Sequence, residues 1–293
     1  MIPDINYYKP KQLGEVLEIL NNEGKNEDNG KTRILGGGTD IIPGFHQGSS
    51  RFMNVENLVD VNDIPELKKI TKREKHLVIG AGVTFSELEK NNDVLNSFYL
   101  LSQAAATIGS RQIRNRATIA GNFVNNAPCA DSVTPLLVYD AWVKIESLHG
   151  SRQIPLQEFL VKPYKTKIQP DELITEVLLP WLPDGYTGDF YKLGRRRAVA
   201  ISRITLSVLG KIEKGVIKDF RVASGAVTPI GLRFYKLEDA VKGEKISSDF
   251  LRTLGRELGK QIIDITGIRW STPHKLPAVQ QAFYQLLENT FNV

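Results

Sequence analysis

The sequence predicts an α+β protein built from two or three domains. Its 293 residues exceed a single domain of about 150 residues. Helical and strand patterns follow one another in irregular order, without an internal repeat. A cluster of prolines and glycines between residues 180 and 188 is the best candidate boundary between a long N-terminal region and a shorter C-terminal one.

Helix and strand patterns alternate at the N-terminal end. A helix is predicted over Pro10–Asn21, where leucine and valine recur at helical spacing. A short strand, Thr32–Leu35, runs into three consecutive glycines, and a second strand region follows at Asn54–Val61. His76–Gly80 predicts a further strand that ends at a glycine.

A capping box marks the next helix. The Thr84 hydroxyl can accept from the Glu87 amide while the Glu87 carboxylate reaches back, and the helix is predicted to run to about Leu95. A buried, alanine-rich helix is predicted over Leu100–Ile108. The segment Pro135–Ser147 predicts the end of a buried helix that turns into a strand.

The C-terminal region combines strands with two closing helices. Strands are predicted at Phe190–Leu193, Ile201–Ile212 and Phe220–Ala223. The helices are predicted over Ser248–Ile263 and Lys275–Phe291, each with one apolar stripe and with cap-forming residues before it.

Composition excludes several kinds of chemistry. The single cysteine, Cys129, rules out an intrachain disulfide and an iron–sulfur cluster ligated by this chain alone. The four histidines are scattered without metal-ligand spacing. Any redox chemistry must therefore be carried by an organic cofactor.

The charge balance is mildly basic. Lysine and arginine number 38 against 33 aspartate and glutamate, a net charge of +5 without the clustering of a nucleic-acid-binding face. No segment resembles a signal peptide, and no apolar run approaches the ~18–20 residues of a membrane helix. A cytoplasmic protein that binds neither nucleic acid nor membrane is predicted.

A glycine run after the first strand is the first candidate site. The segment Gly36-Gly37-Gly38-Thr39-Asp40 fits a sharp turn whose backbone N–H groups bind an anion. It equally fits a tight strand–helix turn without a ligand. Neither the Walker loop nor the dinucleotide fingerprint is present. A β-branched residue at Gly37 is predicted to abolish ligand retention, because it disfavours positive φ and fills the space above the loop.

A second polar segment is rich in small and amide residues. It runs from Asn115 through Asn122 and continues from Asn125 to Ser132. Asparagine and threonine side chains can bind sugar hydroxyls and phosphate oxygens, and Asp131 can accept from ribose hydroxyls. The alternative is a polar turn in which Asp131 caps a helix over 131–137.

These segments together resemble the FAD-binding (medium) subunit of the molybdenum hydroxylases, the xanthine dehydrogenase and carbon monoxide dehydrogenase family. Gly36–Asp40 resembles the family's A-G-G-T-D loop, and Arg114–Asn122 resembles R-N-x-A-T-I-G-G-N. Asp131-Ser132 fits a following A-D-S, and Tyr191–Ile201 resembles an F-K…R…D-I-A segment in which Val199 replaces the aspartate. The matches lie in order along essentially the whole chain.

The resemblance implies a specific domain arrangement. Residues 1–182 would form an FAD-binding domain of the PCMH type, made of two α+β subdomains at about 1–60 and 61–182. Residues 183–293 would form a C-terminal α/β domain with a small antiparallel sheet and helices, similar to the carbon monoxide dehydrogenase flavoprotein C-terminal domain.

The resemblance also implies FAD as the cofactor and a set of residues that bind it. The glycine loop would hold the pyrophosphate, the second segment would line the ribose and pyrophosphate path, and two later residues would lie near the isoalloxazine ring. The implied cofactor-binding residues are Ile34, Leu35, Gly36, Gly37, Gly38, Thr39, Asp40, Thr118, Ile119, Gly121, Asn122, Asp131, Ile174 and Lys192. No catalytic acid or base and no metal ligand is expected on this chain.

The implied function is electron transfer within a complex. Electrons would pass from a large molybdopterin subunit through two [2Fe–2S] clusters of a small subunit to FAD on this chain, and then to NAD or another acceptor. A dimer of heterotrimers is expected. The run from Asn125 to Asp140 favours a xanthine dehydrogenase-like enzyme slightly over those acting on nicotinate, carbon monoxide or an aldehyde.

Three questions stay open at the level of sequence. A stand-alone FAD oxidoreductase resembling UDP-N-acetylmuramate reductase is one alternative to the subunit, and a basic, non-catalytic binding module is another. The run Arg195–Arg197 fits a loop that binds an anionic acceptor such as NAD, a solvated turn, or a contact to a partner subunit.

Overall fold

Four β-sheets organise the chain in this computed structural model, which describes residues 4–24, 31–196 and 198–291. The first sheet is parallel, with the strand order β1-β3-β2. Its elements are β1 (Asn6–Tyr8), α1 (Leu13–Glu23), β2 (Thr32–Leu35), α2 (Ile41–His46) and β3 (Asn57–Asp60). Helix α1 buries its predicted leucine and valine stripe in the same core as β3.

The second sheet is antiparallel and has five strands in the order β4-β5-β10-β6-β7. Its strands are β4 (Ile70–Lys72), β5 (His76–Gly80), β6 (Trp142–Ser147), β7 (Gly150–Pro155) and β10 (Leu173–Pro180). Between them lie helices α3 (Phe85–Leu88), α4 (Asn92–Ser97), α5 (Tyr99–Thr107), α6 (Arg111–Arg114), α7 (Ile119–Asn125), α8 (Val133–Val138) and α9 (Leu156–Phe159), and the two-stranded sheet of β8 (Leu160–Lys162) and β9 (Lys165–Thr166).

The C-terminal part carries a four-stranded antiparallel sheet in the order β11-β12-β13-β14. The elements are β11 (Tyr186–Gly194), β12 (Ser202–Glu213), β13 (Val216–Gly225), β14 (Leu232–Arg233), α10 (Tyr235–Val241), α11 (Ser248–Thr266) and α12 (Thr272–Phe291). Residues of β12, β13, α11 and α12 share one apolar core. Leu209 and Ala223 of the same sheet belong instead to the core of the preceding domain, so the sheet separates two apolar layers.

The predicted fold class is confirmed, and two local predictions are wrong. The helix expected from Thr84 to Leu95 ends at Leu88, because the Asn91 side chain accepts from the Asp93 and Val94 amides and starts a new helix. The alternative helix capped by Asp131 is also absent, since α8 begins at Val133 and Ser132 occupies its N-cap. Among the described residues, no helix combines the length and apolarity needed to cross a membrane.

Candidate cofactor site

The two glycine-bearing segments meet backbone to backbone. A Cβ atom on Gly37 would lie 1.9 Å from the Arg116 carbonyl oxygen, and one on Gly36 would lie 3.1 Å from the Thr118 hydroxyl. Positive φ occurs at Gly38, at 72°, and not at Gly37. The conformational reason predicted for Gly37 is therefore wrong, and the requirement for glycine there is close approach to a second segment.

The first loop presents free backbone donors. The N–H groups of Gly37, Gly38 and Thr39 donate to no described residue. Thr39 is exposed, and the glycines before it are partly exposed. Successive unpaired N–H groups in a turn form a concavity that binds anions. The loop thus has the chemistry of a phosphate site.

A partly buried polar network holds the carboxyl end of β2, where this loop begins. Ile34 and Leu35 pair with β3, behind the loop. The Asn62 amide donates to the Gly36 carbonyl at 2.6 Å and to the Asp60 carboxylate at 2.7 Å. The Tyr7 hydroxyl donates to the other Asp60 oxygen.

This network shifts the pKa values of its two acidic groups. The hydrogen bond to Asp60 raises the pKa of Tyr7 to about 12. Burial alone would raise the pKa of Asp60, but the hydrogen bonds from Tyr7 and Asn62 outweigh it, and the pKa is lowered. Asp60 is therefore an ionised anchor beneath the loop.

The second segment is anchored to the end of β5. The Ile119 amide donates to the Val83 carbonyl at 2.9 Å, and the Ala120 amide donates to the Ala81 carbonyl at 3.3 Å. Thr118 caps α7 by accepting from the Gly121 amide at 3.2 Å. Its side chain also lies where a Cβ atom on Gly36 would project, so the first loop passes close to it.

Asn122 and Asp131 lie on neighbouring parts of this segment. The Ser132 hydroxyl donates to the Asn122 amide oxygen at 2.7 Å. The Lys192 ammonium of β11 lies 2.6 Å from Asp131 and also donates to the Thr107 carbonyl at 2.9 Å. The Ser202 hydroxyl of β12 donates to the other Asp131 oxygen. The ion pair thus joins the segment to the C-terminal sheet.

The environment of Asp131 and Cys129 is poor in water. Burial raises the pKa of the Asp131 carboxyl, and the opposing charge of Lys192 only reduces that shift. Burial also raises the pKa of the Cys129 thiol, as does the neighbouring Asp131. Cys129 is therefore a protonated, unreactive thiol near neutral pH.

Ile174 differs from the other predicted site residues. It lies on β10 with its side chain 5% exposed and buried in the main core. The carbonyl of the next residue, Thr175, accepts from the Ala81 amide at 2.9 Å, and Ala81 in turn accepts from Ala120. The backbone beside Ile174 is thus linked to α7 through two successive hydrogen bonds. The Ile174 side chain itself is directed into the core.

Two arginines beside the first loop were missed in the sequence. Arg51 donates to Asn125 at 2.7 Å and pairs with Asp40 at 3.0 Å, and its guanidinium lies 4.4 Å from the Tyr164 ring. The Arg33 Nε is buried without a hydrogen-bond partner, and burial followed by repulsion from Arg51 lowers the pKa of Arg33. Such contacts span 11 to 113 positions and leave no local pattern.

Sequence profiles of known domains match most of the chain. The FAD binding domain in molybdopterin dehydrogenase matches residues 3–182. The chain belongs to this family. The CO dehydrogenase flavoprotein C-terminal domain matches residues 189–290. The chain is thus of the FAD-binding medium subunit type of the xanthine dehydrogenase and CO dehydrogenase family, and its cofactor is FAD.

Individual relatives cover from 73% to 100% of the chain. The xanthine dehydrogenase FAD-binding subunit of Escherichia coli is 28% identical over 277 residues, covering 94% of this chain and 92% of the relative. The 6-hydroxypseudooxynicotine dehydrogenase complex subunit alpha of Paenarthrobacter nicotinovorans is 34% identical over 220 residues, covering 73% and 72%. A carbon monoxide dehydrogenase structure from Hydrogenophaga pseudoflava shares the fold with a TM-score of 0.90 at 24% identity, covering 100% and 99%.

Proposed function

We propose that this chain is the FAD-carrying electron-transfer subunit of a multi-subunit molybdenum hydroxylase. In this proposal it receives electrons from [2Fe–2S] clusters on a small partner subunit and passes them to NAD or another acceptor. A large molybdopterin subunit hydroxylates the substrate, and the complex is a dimer of heterotrimers. The observation that carries the proposal is the row of free N–H groups at Gly37, Gly38 and Thr39, packed against the second segment.

The residues fit a dinucleotide pyrophosphate. Backbone donors bind phosphate oxygens without adding a competing side chain. The orphaned Arg33 Nε lies on the strand that enters the loop, where a nearby anion would offset its burial. Position 37 must be glycine because the second segment leaves no room for a Cβ atom there. The two segments that form the walls of the site therefore depend on this one contact.

We assign the holding of FAD to the residues of the two segments and two later positions. These are Ile34, Leu35, Gly36, Gly37, Gly38, Thr39, Asp40, Thr118, Ile119, Gly121, Asn122, Asp131, Ile174 and Lys192. The last two residues have a different role. Ile174 would contribute by positioning its strand, whose Thr175 carbonyl accepts from Ala81, and Lys192 would act as the cation that fixes Asp131. We place the domain boundary at residues 182 and 183.

The chain's own residues bind and position rather than exchange protons. Bound FAD supplies the chemistry of accepting electrons singly and delivering them in pairs. Asp60 and Asp131 are held by hydrogen bonds from neighbours, which suits them to anchoring loops. The described residues contain no group of three or more His, Cys, Asp or Glu side chains that could bind a metal.

We propose a xanthine dehydrogenase-like complex. The supporting observation is the 28% identity to the xanthine dehydrogenase subunit along 94% of the chain. The 34% identical relative carries a different substrate in its name. The chemistry on the substrate would take place on the large subunit, so substrate assays of the whole complex decide the point.

Purification from the native host tests the proposal. The tagged chain is expected to show flavin absorption and to bring with it two partner subunits, one containing iron and sulfur and one containing molybdenum. A flavoprotein that is active alone as a monomer would contradict the subunit assignment and favour a stand-alone oxidoreductase. A chain that neither carries flavin nor takes up added FAD would contradict both flavoprotein hypotheses. The remaining alternative would then be a non-catalytic binding module.

A further inference from the structure

Two segments of the C-terminal domain carry positive charge without any acidic residue. Residues 190–204 contain five lysines and arginines, and residues 265–278 contain two, while neither segment contains an aspartate or glutamate. The whole chain has a net charge of only +5. Lys192 pairs with Asp131, so the remaining cations give the two segments a net positive charge that the overall composition hides.

The two segments border one cavity. It has a volume of about 280 Å³ and lies between the hairpin end of β11 and β12 and the start of α12. Leu193 and Arg203 contribute from the strands, and Trp270 and Lys275 contribute from the other side. Its walls are mostly apolar, and the charged groups of Arg203 and Lys275 lie at its border.

The cations at this cavity lack acidic partners. Arg203 and Arg269 form no ion pair with any residue in 4–24, 31–196 or 198–291. The Lys275 ammonium donates to the Ala226 carbonyl at 3.1 Å. Burial lowers the pKa of Lys275, and repulsion from Arg203 and Arg269 lowers it further. By contrast, Arg233 of the same domain is paired with Glu238.

Large apolar side chains are exposed around the same cavity. Among the described large hydrophobic residues the three most exposed are Trp270 at 84%, Ile268 at 83% and Ile201 at 77%. Trp270 lines the cavity, Ile268 lies two residues before it, and Ile201 immediately precedes β12. Apolar groups gathered at a protein surface and rimmed by charges are typical of interaction sites.

We propose that this surface, formed by Leu193, Ile201, Arg203, Ile268, Arg269, Trp270 and Lys275, docks an acidic segment of a partner subunit. An apolar side chain of that segment enters the cavity beside Trp270, and its carboxylates pair with the free cations. The inference rests on the proposed function, which supplies the partner subunits. It also assigns a role to Arg195 and Arg196, which extend the same basic surface; Arg197 lies outside the described residues.

The chemistry favours a polypeptide over other anionic ligands. A small anion would cover the guanidinium groups and leave Ile201 and Ile268 in water. Nucleic acid binding would use phosphate contacts together with aromatic stacking, which engages Trp270 but leaves the aliphatic side chains of Ile201 and Ile268 uncovered. A protein segment can satisfy both the aliphatic groups and the charges.

The test uses the tagged full chain produced in its native host. In Arg269→Glu and in Trp270→Ser, the amount of co-purifying partner subunit per chain is expected to fall about tenfold at moderate salt, which corresponds to about 1.4 kcal/mol. Flavin content is expected to stay at the wild-type level, because the hydrogen-bond and cavity neighbours of Arg269 and Trp270 belong to the C-terminal domain and to neither glycine-bearing segment. Lys236→Glu and Leu148→Ser are matched controls at exposed positions elsewhere.

Photo-crosslinking from position 270 identifies the occupant. The expected product joins this chain to a carboxylate-rich peptide of one partner subunit, and reversing the charge of that peptide should restore binding to Arg269→Glu. Unchanged partner content in both variants would overturn the proposed docking surface and leave the proposed function standing. Crosslinks to nucleic acid or to a second copy of this chain would also overturn the docking surface. Wild-type chain without any stoichiometric partner would instead overturn the proposed function, and the inference with it.

Discussion

Gly37 and Arg116 touch through their backbones, and a Cβ atom on residue 37 would lie 1.9 Å from the Arg116 carbonyl oxygen. The contact joins the loop that follows β2 to the segment that precedes α7. No rotamer change can relieve such a clash, because both partners are backbone. The geometry of the two walls of the proposed FAD site is thus coupled at one point.

Gly37→Ala is expected to lose FAD and to destabilise the protein. Overpacking costs about 1–3 kcal/mol where side chains can yield, and backbone yields less. The flavin-to-protein absorbance ratio and urea unfolding of the apoprotein measure the two effects. Gly14→Ala is the control, since nothing lies within 4 Å of its Cβ and alanine favours the helix. Full flavin content in Gly37→Ala would contradict the proposed site.

Asn62→Ala is expected to weaken FAD binding while leaving the fold intact. The variant loses the amide that links the Gly36 carbonyl to Asp60, a loss of about 1–2 kcal/mol in stability. The loop would no longer be held in its binding geometry, so the Kd for FAD is expected to rise about tenfold by titration of the apoprotein. Asn96→Ala, at an exposed position in α4, is the control. An unchanged Kd would show that the loop needs no support from Asn62.

Local patterns in the sequence identify elements well where the chemistry is local. His76–Gly80 is a strand with the predicted ends, and the Thr84–Glu87 capping box forms as expected. Strand β10 was missed because its residues are buried on both faces and show no alternation. The break at Asn91 was missed because a cap inside an apolar pattern looks like an ordinary polar position.

The candidate site shows the same limit. The glycine run and the Thr118 region are visible as compositional anomalies, but their contact depends on the packing of two separate sheets. Arg51 reaches Asn125 across 74 positions, and no periodicity reports such a pair. Likewise, the engagement of Asp131 by Lys192 and Ser202 requires the C-terminal sheet to be in place.

The Tyr7–Asp60 hydrogen bond predicts a stability window in pH. The lowered pKa of Asp60 means that its contribution is present above about pH 4 and is lost as pH falls. The pKa of Tyr7 is raised to about 12, so its contribution is complete below about pH 10 and is lost as pH rises toward that value. Tyr7→Phe is expected to lower the unfolding free energy by about 1 kcal/mol within the window, a value reduced by the exposure of Tyr7.

Urea unfolding of wild type and Tyr7→Phe across pH measures this window. The difference between the two proteins should shrink at both ends and be constant between them. Tyr164→Phe, at a tyrosine that is 53% exposed, is the comparison for general effects of removing a phenol hydroxyl. A difference that does not change with pH would mean that the two groups are not coupled.

Lys192→Met is expected to destabilise the protein by about 3–5 kcal/mol, because it leaves the Asp131 carboxylate buried without its cation. The pKa of Asp131, already raised by burial, would rise further. The deficit should therefore be largest above that pKa and should decrease as pH falls through it, because a protonated carboxyl group is neutral.

The double variant Lys192→Met/Asp131→Asn separates charge from packing. Asparagine keeps an oxygen for the Ser202 hydroxyl and carries no charge, so most of the lost stability should return and its pH dependence should disappear. Lys260→Met, from a pair in which Lys260 is 69% exposed, is expected to cost under about 0.5 kcal/mol. If Lys192→Met costs no more than Lys260→Met, the ion pair does not hold the C-terminal sheet against the cofactor segment. The sheet would then be held there by its other contacts, among them the apolar packing of Leu209 and Ala223 and the hydrogen bond from Ser207 to Thr134.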